Sequence, residues 1–520
     1  MHLSHHLSRC DCIHSDMTSH APPSQQEMPN AAHATPRIAI VGSGFAGIGM
    51  AIRLRRMGIE TFTIYEAAEG LGGTWRDNAY PGAACDIPSH LYSFSFELNP
   101  GWTRTYAPQR EILDYLRHCA HKYDVERYIR YRSRVSAARF DAARSVWLIE
   151  IERDGVMHTV EADLLIAANG PLSRPALPAV AGLERFEGKL FHSARWDHDY
   201  ALDGKRVAVI GTGASAIQFV PQIQPRVAQL TVFQRTAPWI MPRRDRAIGA
   251  RRRWVYRHVP LAQRLARAAI YWKLESQVLG FIVDRRLLNA PMKFARNYLA
   301  HKVKDSALRA KLAPDYVLGC KRVLLSSDYF PALAQPNVAL VTEPIREVVA
   351  DGIVTADGVH RPFDAIVCGT GFQVNDVDAP FRVTGINGAD LGEAWRRDGP
   401  EAYLGASVAG FPNFFIIIGP NTGLGHNSMI YMIESHIRYI ADCIRALQRR
   451  RARTMSVRPE AQQAFNTKLQ AQLARTVWTS GCHSYYQTRS GKVTSLWPGF
   501  TFAFRRRTRR VRERDYEFGR

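Results

Sequence analysis

Two glycine-rich segments, Gly42-Ser43-Gly44-Phe45-Ala46-Gly47 and Gly211-Thr212-Gly213-Ala214-Ser215-Ala216, have the spacing of turns that bring backbone N–H groups against a pyrophosphate. In each, the residue 24 positions after the first glycine is charged, and the sign differs: Glu66 in the first unit, Arg235 in the second. A carboxylate there accepts hydrogen bonds from a ribose diol, whereas a guanidinium followed by Thr236 suits a ribose 2′-phosphate. The contrast points to FAD at the first unit and NADP at the second. Ala216 stands where the third glycine is usual, a position that governs how closely helix packs on strand and that tolerates alanine. One such motif is often only a tight turn. Two complete units with opposite ribose-end chemistry are much stronger evidence.

The elements needed to position these turns are present in the same order twice. Arg37–Val41 reads as a strand, residues 48–57 as a helix stopped by Gly58, and residues 61–65 as a second strand. Arg206–Ile210, a helix through Ile223 and a strand over residues 229–234 repeat the plan. Buried strands are also expected at 164–168, running into Asn169-Gly170, and at 365–368, running into Gly369-Thr370-Gly371. The expected fold is therefore α/β, with two Rossmann-like dinucleotide-binding domains, the FAD domain discontinuous and the NADP domain inserted into it, plus a helical subdomain. The expected boundaries are a disordered extension at 1–35, an FAD part at 36–180, NADP parts at 181–242 and 314–360, the helical subdomain at 243–313, and a second FAD part with a basic tail at 361–520. Trp254, Tyr271 and Trp272 in the helical segment are expected in the core.

Length and composition narrow the classes. A chain of 520 residues, 46% hydrophobic and 22% charged, suits an ordinary multidomain globular protein. Its net charge of +22 could serve a nucleic acid or an anionic surface, but the cations gather in two stretches, 243–257 and 505–514, without the spacing of a nucleic-acid module. A solvated basic face is the expectation, with no nucleic-acid partner. No apolar run reaches the ~20 residues of a membrane span. The eight cysteines form no CxxC pair, so free thiols in a reducing cytoplasm are expected. His5, His6, Cys10, Cys12 and His14 could in principle hold a metal, but clusters in an unstructured extension are more often incidental, and no metal is expected.

The segment Phe186-x-Gly188-xxx-His192-xxx-Trp196-Asp197 decides between flavoenzyme subclasses. It resembles the fingerprint of the Baeyer–Villiger monooxygenases and lies just before the second nucleotide turn, as in that family. The resemblance extends to Gly72-Gly73-Thr74-Trp75, Tyr80-Pro81-Gly82, Cys85-Asp86 and Tyr92, to Lys321-Arg322 with Tyr329, to the run from Phe414 through Asn427, and to Trp478, Gly481-Cys482 and Trp497-Pro498-Gly499. It covers most of the chain from about residue 36.

What the resemblance implies is specific. NADPH reduces FAD, the reduced flavin adds O2 to give a flavin peroxide, and the peroxide attacks a small-molecule ketone, which becomes an ester or lactone. Arg322 is implied as the cation beside the peroxide and the adduct, and Asp86 as the carboxylate that holds and tunes it. His192 and Trp196 are implied to couple domain movement to the reaction. Thr74, Trp75, Asp86 and Tyr92 are implied to lie on the flavin side, and Lys321 at the adenosine end of NADP, ranked below Arg235. Asn427 and its neighbouring glycines are expected along the flavin ring. Two other readings remain: a flavin-containing monooxygenase that oxidises sulfur or nitrogen, whose relatives usually carry Tyr or Phe at the place of Trp196, and a non-catalytic basic binding protein on a flavoprotein scaffold.

Overall fold

The structure, a computed structural model, describes residues 35–374, 381–482 and 484–520; the histidines and cysteines of the N-terminal extension lie outside the described residues. β1 (Ile38–Val41) is buried along its whole length, as expected of a parallel strand covered on both faces. The glycine turn leads into α1 (Phe45–Arg55), which is apolar nearly all round. The chain returns as β2 (Phe62–Tyr65), passes a four-residue helix, α2 (Thr74–Asp77), and adds β3 (Ile129–Arg130) and β4 (Leu164–Ala167). An antiparallel meander over Ser133–Asp141, Val146–Arg153 and Val156–Ala162 precedes β4 and covers one side, with Trp147 fully buried and its indole N–H donating to Pro412 O at 2.9 Å.

The second unit holds β5 (Lys189–His192), β6 (Arg206–Ile210), α3 (Ala216–Ile223) and β7 (Gln229–Phe233). A helical layer follows, beginning with α4 (Ala250–His258) and α5 (Pro260–Glu275). The chain then supplies β8 (Val338–Val341) and β9 (Ala365–Cys368), goes back to the first unit as β10 (Phe414–Ile416), and ends with α6 (Met429–Arg450), α7 (Thr501–Arg507) and a strand at Tyr516–Gly519. The first sheet has the order β10-β4-β1-β2-β3 and the second β8-β7-β6-β9-β5, every neighbouring pair parallel. α6 packs on α1, which explains why α1 has no polar face.

Three expectations change and one is met. β9 lies between β6 and β5 in the second sheet, so residues 361–368 belong with the NADP-type unit and not with the second FAD part. A buried β-branched strand running into a glycine turn reads alike in either parallel sheet; only the register names its neighbours. Cys320 and Cys482 form a disulfide, with Cα atoms 6.2 Å apart, while Cys85, Cys119, Cys368 and Cys443 are free and buried. The basic C-terminal stretch presents the expected solvated face, with Arg506, Arg507, Arg509, Arg510, Arg512 and Arg514 exposed, while Arg505 donates to Glu434 at 3.1 Å and stacks 3.6 Å over the Tyr431 ring, and Tyr516–Gly519 pairs with Thr454–Val457. Trp254 and Trp272 are exposed, and Tyr271 is half-buried.

Thiol titration in denaturant without reductant should therefore find at most six of the eight cysteines, and all eight after reduction. Cys482→Ser should lower the unfolding temperature by several degrees, because the bond closes a loop of 162 residues. Eight reactive thiols in the untreated protein would contradict the pairing.

Candidate active site

Both glycine turns deliver a helix N-terminus at the carboxyl end of a central strand, and neither helix has a side-chain cap, so their first N–H groups point outward. A side chain at Gly47 would put its Cβ 1.9 Å from Gly42 O, so only glycine allows this closure. In the second unit the closeness is supplied from the other side: a Cβ on Gly369 would stand 3.2 Å from the Ala216 methyl, and this pairing lets alanine replace the third glycine. Gly213 and Ala214 are exposed, Gly211 and Ser215 half-buried, and Thr212 donates through its hydroxyl to Thr236 O at 3.3 Å. Gly44 opens the first turn, while the Phe45 ring and Ala46 are buried, the ring 5.5 Å from Tyr92 and 5.3 Å from Phe94. Phe45 can thus offer a ligand only its backbone.

Glu66 is buried at the end of β2. Its Oε2 accepts from Ser43 N at 3.0 Å and Ser43 Oγ at 2.7 Å, and its Oε1 from Ala68 N and Arg76, both at 3.0 Å. Ser43 and Arg76 were not singled out in the sequence, although Ser43 sits inside the turn motif. Thr74 and Trp75 open α2, where the Trp75 indole donates to the Tyr92 hydroxyl at 3.1 Å.

At the second unit Arg235 is exposed just beyond β7, and Lys321 is held below the usual lysine pKa by burial and by the nearby positive charge of Arg235. The Lys321 ammonium lies 4.9 Å over the Tyr316 ring. Two cations kept this close, with a hydroxyl-bearing Thr236 beside them, form an anion site in waiting.

Asp86 and Arg322, far apart in the chain, form a close ion pair. Arg322 donates from Nη2 to Asp86 Oδ2 at 2.5 Å and from Nε at 2.9 Å, and from Nη1 to Leu424 O at 3.1 Å. Asp86 raises the Arg322 pKa further above its ordinary value, outweighing burial, so the guanidinium stays charged at every working pH. The Tyr485 and Tyr486 hydroxyls are close enough to interact with it electrostatically, and burial pushes Tyr486 well above its ordinary pKa. The loop bearing Asp86 is tied to the second unit by Gln218 of α3, which donates to Ala84 O at 3.0 Å and accepts from the Tyr80 hydroxyl at 3.0 Å. Gln218 and the two tyrosines carry no motif that would reveal them in sequence.

His192 and Trp196 lie elsewhere. His192 ends β5; its Nδ1 accepts from Ala194 N at 3.0 Å, so the ring proton is on Nε2, and burial lowers its pKa, a backbone contact at Gly371 partly opposing this. The ring meets Phe372 at 5.8 Å. Trp196 packs on Phe191 and Phe219 inside the second unit. The segments joining the units pair with each other beside His192: Ala176 N donates to Gly371 O and Gln373 N to Arg174 O, each at 2.9 Å. Asn427 does not point freely at a ligand, because its amide donates to Glu275 of α5 at 2.6 Å. Thr501 also donates to Glu275, through N at 2.5 Å and Oγ1 at 2.8 Å, and His426 Nε2 lies 3.5 Å away. Burial opposes ionisation of Glu275, yet these partners hold its carboxyl below the usual range. The sequence held one signal for it: Glu275 is the only acid between Asp245 and Asp284.

Residues 35–375 match the model of the flavin-binding monooxygenase-like family. A Baeyer–Villiger monooxygenase of Streptomyces coelicolor is 50% identical over 93% of this chain and 93% of its own length. The chain belongs to this family of monooxygenases. A Baeyer–Villiger monooxygenase of Pseudomonas aeruginosa is 49% identical, over 94% of this chain and 92% of that protein. Among solved structures, cyclohexanone monooxygenase from Rhodococcus sp. Phi1 bound to NADP+ is 28% identical with a TM-score of 0.82, and an oxidized steroid monooxygenase bound to NADP is 32% identical with a TM-score of 0.81. Each covers 93% of this chain and 99% of its own. The α/β fold with two dinucleotide-type sheets is that of these Baeyer–Villiger enzymes.

Breaking the pair from one side should cost more than removing both charges. In a thermal-unfolding cycle of Asp86→Asn, Arg322→Leu and the double variant, a coupling of about 1–2 kcal/mol is expected. Additive effects would mean that the two side chains are neighbours without being partners.

Proposed function

We propose that this monooxygenase converts a ketone to an ester or lactone using FAD, NADPH and O2, and that Arg322, oriented by Asp86, is its catalytic cation. The observation that carries this reading is the Arg322–Asp86 contact between the two nucleotide-type units, in which Nη2 and Nε both donate to Asp86 Oδ2, at 2.5 and 2.9 Å. The residues present fit the two cofactors. The uncapped N-terminus of α1 with Gly42, Gly44 and Gly47 suits the FAD pyrophosphate, and Glu66 suits its ribose. A carboxylate has about four acceptor sites and all four are engaged, so a ribose diol would take the place of Arg76, whose side chain is partly exposed. The uncapped N-terminus of α3 suits the NADP pyrophosphate, with Arg235, Thr236 and Lys321 for the 2′-phosphate.

When bound, the flavin reduced by NADPH supplies the oxygen-activating chemistry. The protein's part is electrostatic. Of the five N–H donors of Arg322, three are engaged by described partners, which leaves one on each terminal nitrogen to hydrogen-bond an oxygen that gains negative charge on the substrate. Its fixed charge and its rigid bond to Asp86 mean that little reorganisation is needed as that charge develops. His192, neutral and placed against the paired connecting segments, is a positioning residue that links the second unit's movement to the flavin side, and Trp196 braces it through Phe191 and Phe219. We place the flavin-binding part at 36–180 and from 381 onward, the NADP-binding part at 181–242 and 314–374, and the enzyme in the cytoplasm, where NADPH is supplied.

Incubation of the flavin-loaded enzyme with NADPH, labelled O2 and a panel of ketones that includes one thioether should give an ester or lactone carrying one labelled oxygen; sulfoxide as the sole product would assign the chain to the sulfur-oxidising branch. Arg322→Ala should lower ester formation by about a hundredfold or more while NADPH is still consumed and hydrogen peroxide released. Ester formation near the parental rate would remove Arg322 from the mechanism. Arg235→Ala should raise the KM for NADPH by roughly tenfold to a hundredfold and leave NADH kinetics unchanged; equal loss with both coenzymes would point to damage at the fold and not to 2′-phosphate recognition.

A further inference from the structure

The helical layer between β7 and β8 presents a face that the oxygenation chemistry does not use. α5 departs from an ordinary surface helix: its enclosed side holds Gln263, Glu275 and Arg267 beside the partly buried Ile270, Tyr271 and Leu274, while Leu261, Leu265 and Trp272 are 63%, 63% and 58% exposed. The enclosed polar groups are all employed. Gln263 donates to Asn99 O at 2.8 Å, and Arg267 donates to the carbonyls of His90 and Leu91 at 2.9 Å and of Ser93 at 3.0 Å. Sequence spacings of four and seven residues put Leu261, Leu265 and Trp272 within about 40° of one another around the helix. The exposed stripe is therefore continuous along α5.

Neighbouring elements extend it. Trp254 on α4 is 60% exposed, and Phe502 on α7 is 42% exposed with its ring 5.9 Å from Trp272. Among the described residues, nine of the sixteen exposed large hydrophobic side chains fall between 254 and 294, so the surface apolarity of the molecule is concentrated on this one layer. Its charge is equally one-sided. From Ala250 to Glu275 the exposed charged side chains are Arg251, Arg252, Arg257, Arg264 and Lys273, and the one acid, Glu275, is buried. The contact between Trp272 and Phe502 also brings in α7, where Arg506 and Arg507 are exposed. The second basic stretch, which begins on α7, thus lies next to the exposed side of α5.

We propose that this face seats the enzyme on an anionic lipid bilayer, with Leu261, Leu265, Trp254 and Trp272 at the boundary between headgroups and acyl chains and the arginines on lipid phosphates. Tryptophan prefers that boundary, and arginine keeps its charge at the headgroups while its stem lies along apolar surface. The face from Ala250 to Glu275, cationic and without an exposed carboxylate, complements an anionic surface, Asp284 being the one exposed acid between 254 and 294. A second copy does not fit, since a twofold contact through this face would oppose Arg251, Arg252 and Arg264 with their own counterparts. Among the described residues no helix is long and apolar enough to cross a membrane, so the association is interfacial.

The test uses the full-length, flavin-loaded enzyme in flotation with vesicles of phosphatidylcholine alone and of phosphatidylcholine mixed with phosphatidylglycerol. The enzyme should float with the anionic vesicles at low salt, be released at high salt, and ignore the neutral ones. Leu265→Ser with Trp272→Ser, which keeps every arginine, should weaken partitioning about tenfold or more while leaving NADPH oxidation in solution unchanged. Arg251→Glu with Arg264→Glu should abolish flotation. The proposal is overturned by no flotation with anionic vesicles at low salt, by flotation that the Leu265/Trp272 variant does not weaken, or by a solution dimer that this variant dissolves.

Discussion

Arg322 and Asp86 are 236 residues apart in the chain and meet at 2.5 Å, and the active-site layer is organised around keeping them there. With its side chain only 25% exposed, the guanidinium is stabilised by the carboxylate against it. The pair in turn fixes which parts of the chain must be neighbours: the loop after α2 from the first unit, the segment after the helical layer, and the Leu424 carbonyl from the return to the first sheet. Gln218 holds the Asp86 loop, and the Cys320–Cys482 bond, two residues from Arg322, ties the arginine's segment to the C-terminal stretch that bears Tyr485 and Tyr486. Each half of the ion pair is thus anchored to the other half's domain by a second contact.

What the sequence shows of this depends on how local the signal is. The strands and helices of both nucleotide turns are legible because glycine spacing, a β-branched run and a helical run fall within thirty residues of each other, and the observed β1, α1, β2 and β6, α3, β7 lie within a few residues of the expected bounds. The partner of a buried strand is not local. Ala365–Cys368 has the composition of a central strand in either sheet, and only its register with Val207–Ile210 and Lys189–His192 assigns it. The disulfide is non-local in the same sense, since Cys320 and Cys482 have no sequence spacing to relate them.

The exposed tryptophans fail differently. Hydrophobic residues at helical spacing ordinarily mark the buried face, and in α5 that inference fails for Leu261, Leu265 and Trp272 because the two most deeply buried positions, Gln263 and Glu275, are polar, while Ile270, Tyr271 and Leu274 make the core contact. Its cause is the layer beneath: the His90–Ser93 turn offers a row of carbonyls that need donors, and Arg267 supplies them, while Glu275 collects the donors of Asn427 and Thr501. Satisfying buried backbone acceptors takes precedence over burying leucine, because an unpaired buried polar group costs about 1–3 kcal/mol and an exposed leucine on a folded surface is cheap by comparison. The polar positions on the enclosed side of α5 therefore answer the carbonyls and donors that the turns beneath present to it.

This polar seam also separates what can move from what cannot. Glu275 bonds the helical layer to the Asn427 turn and to α7, so that layer is bound to the first unit as well as being inserted in the second. The segments through Ala176 and Gly371 also connect the units, paired by backbone hydrogen bonds and bordered by the ring of His192, whose pKa burial lowers. A rotation of the second sheet would have to bend that narrow ribbon while the Arg322–Asp86 contact resists.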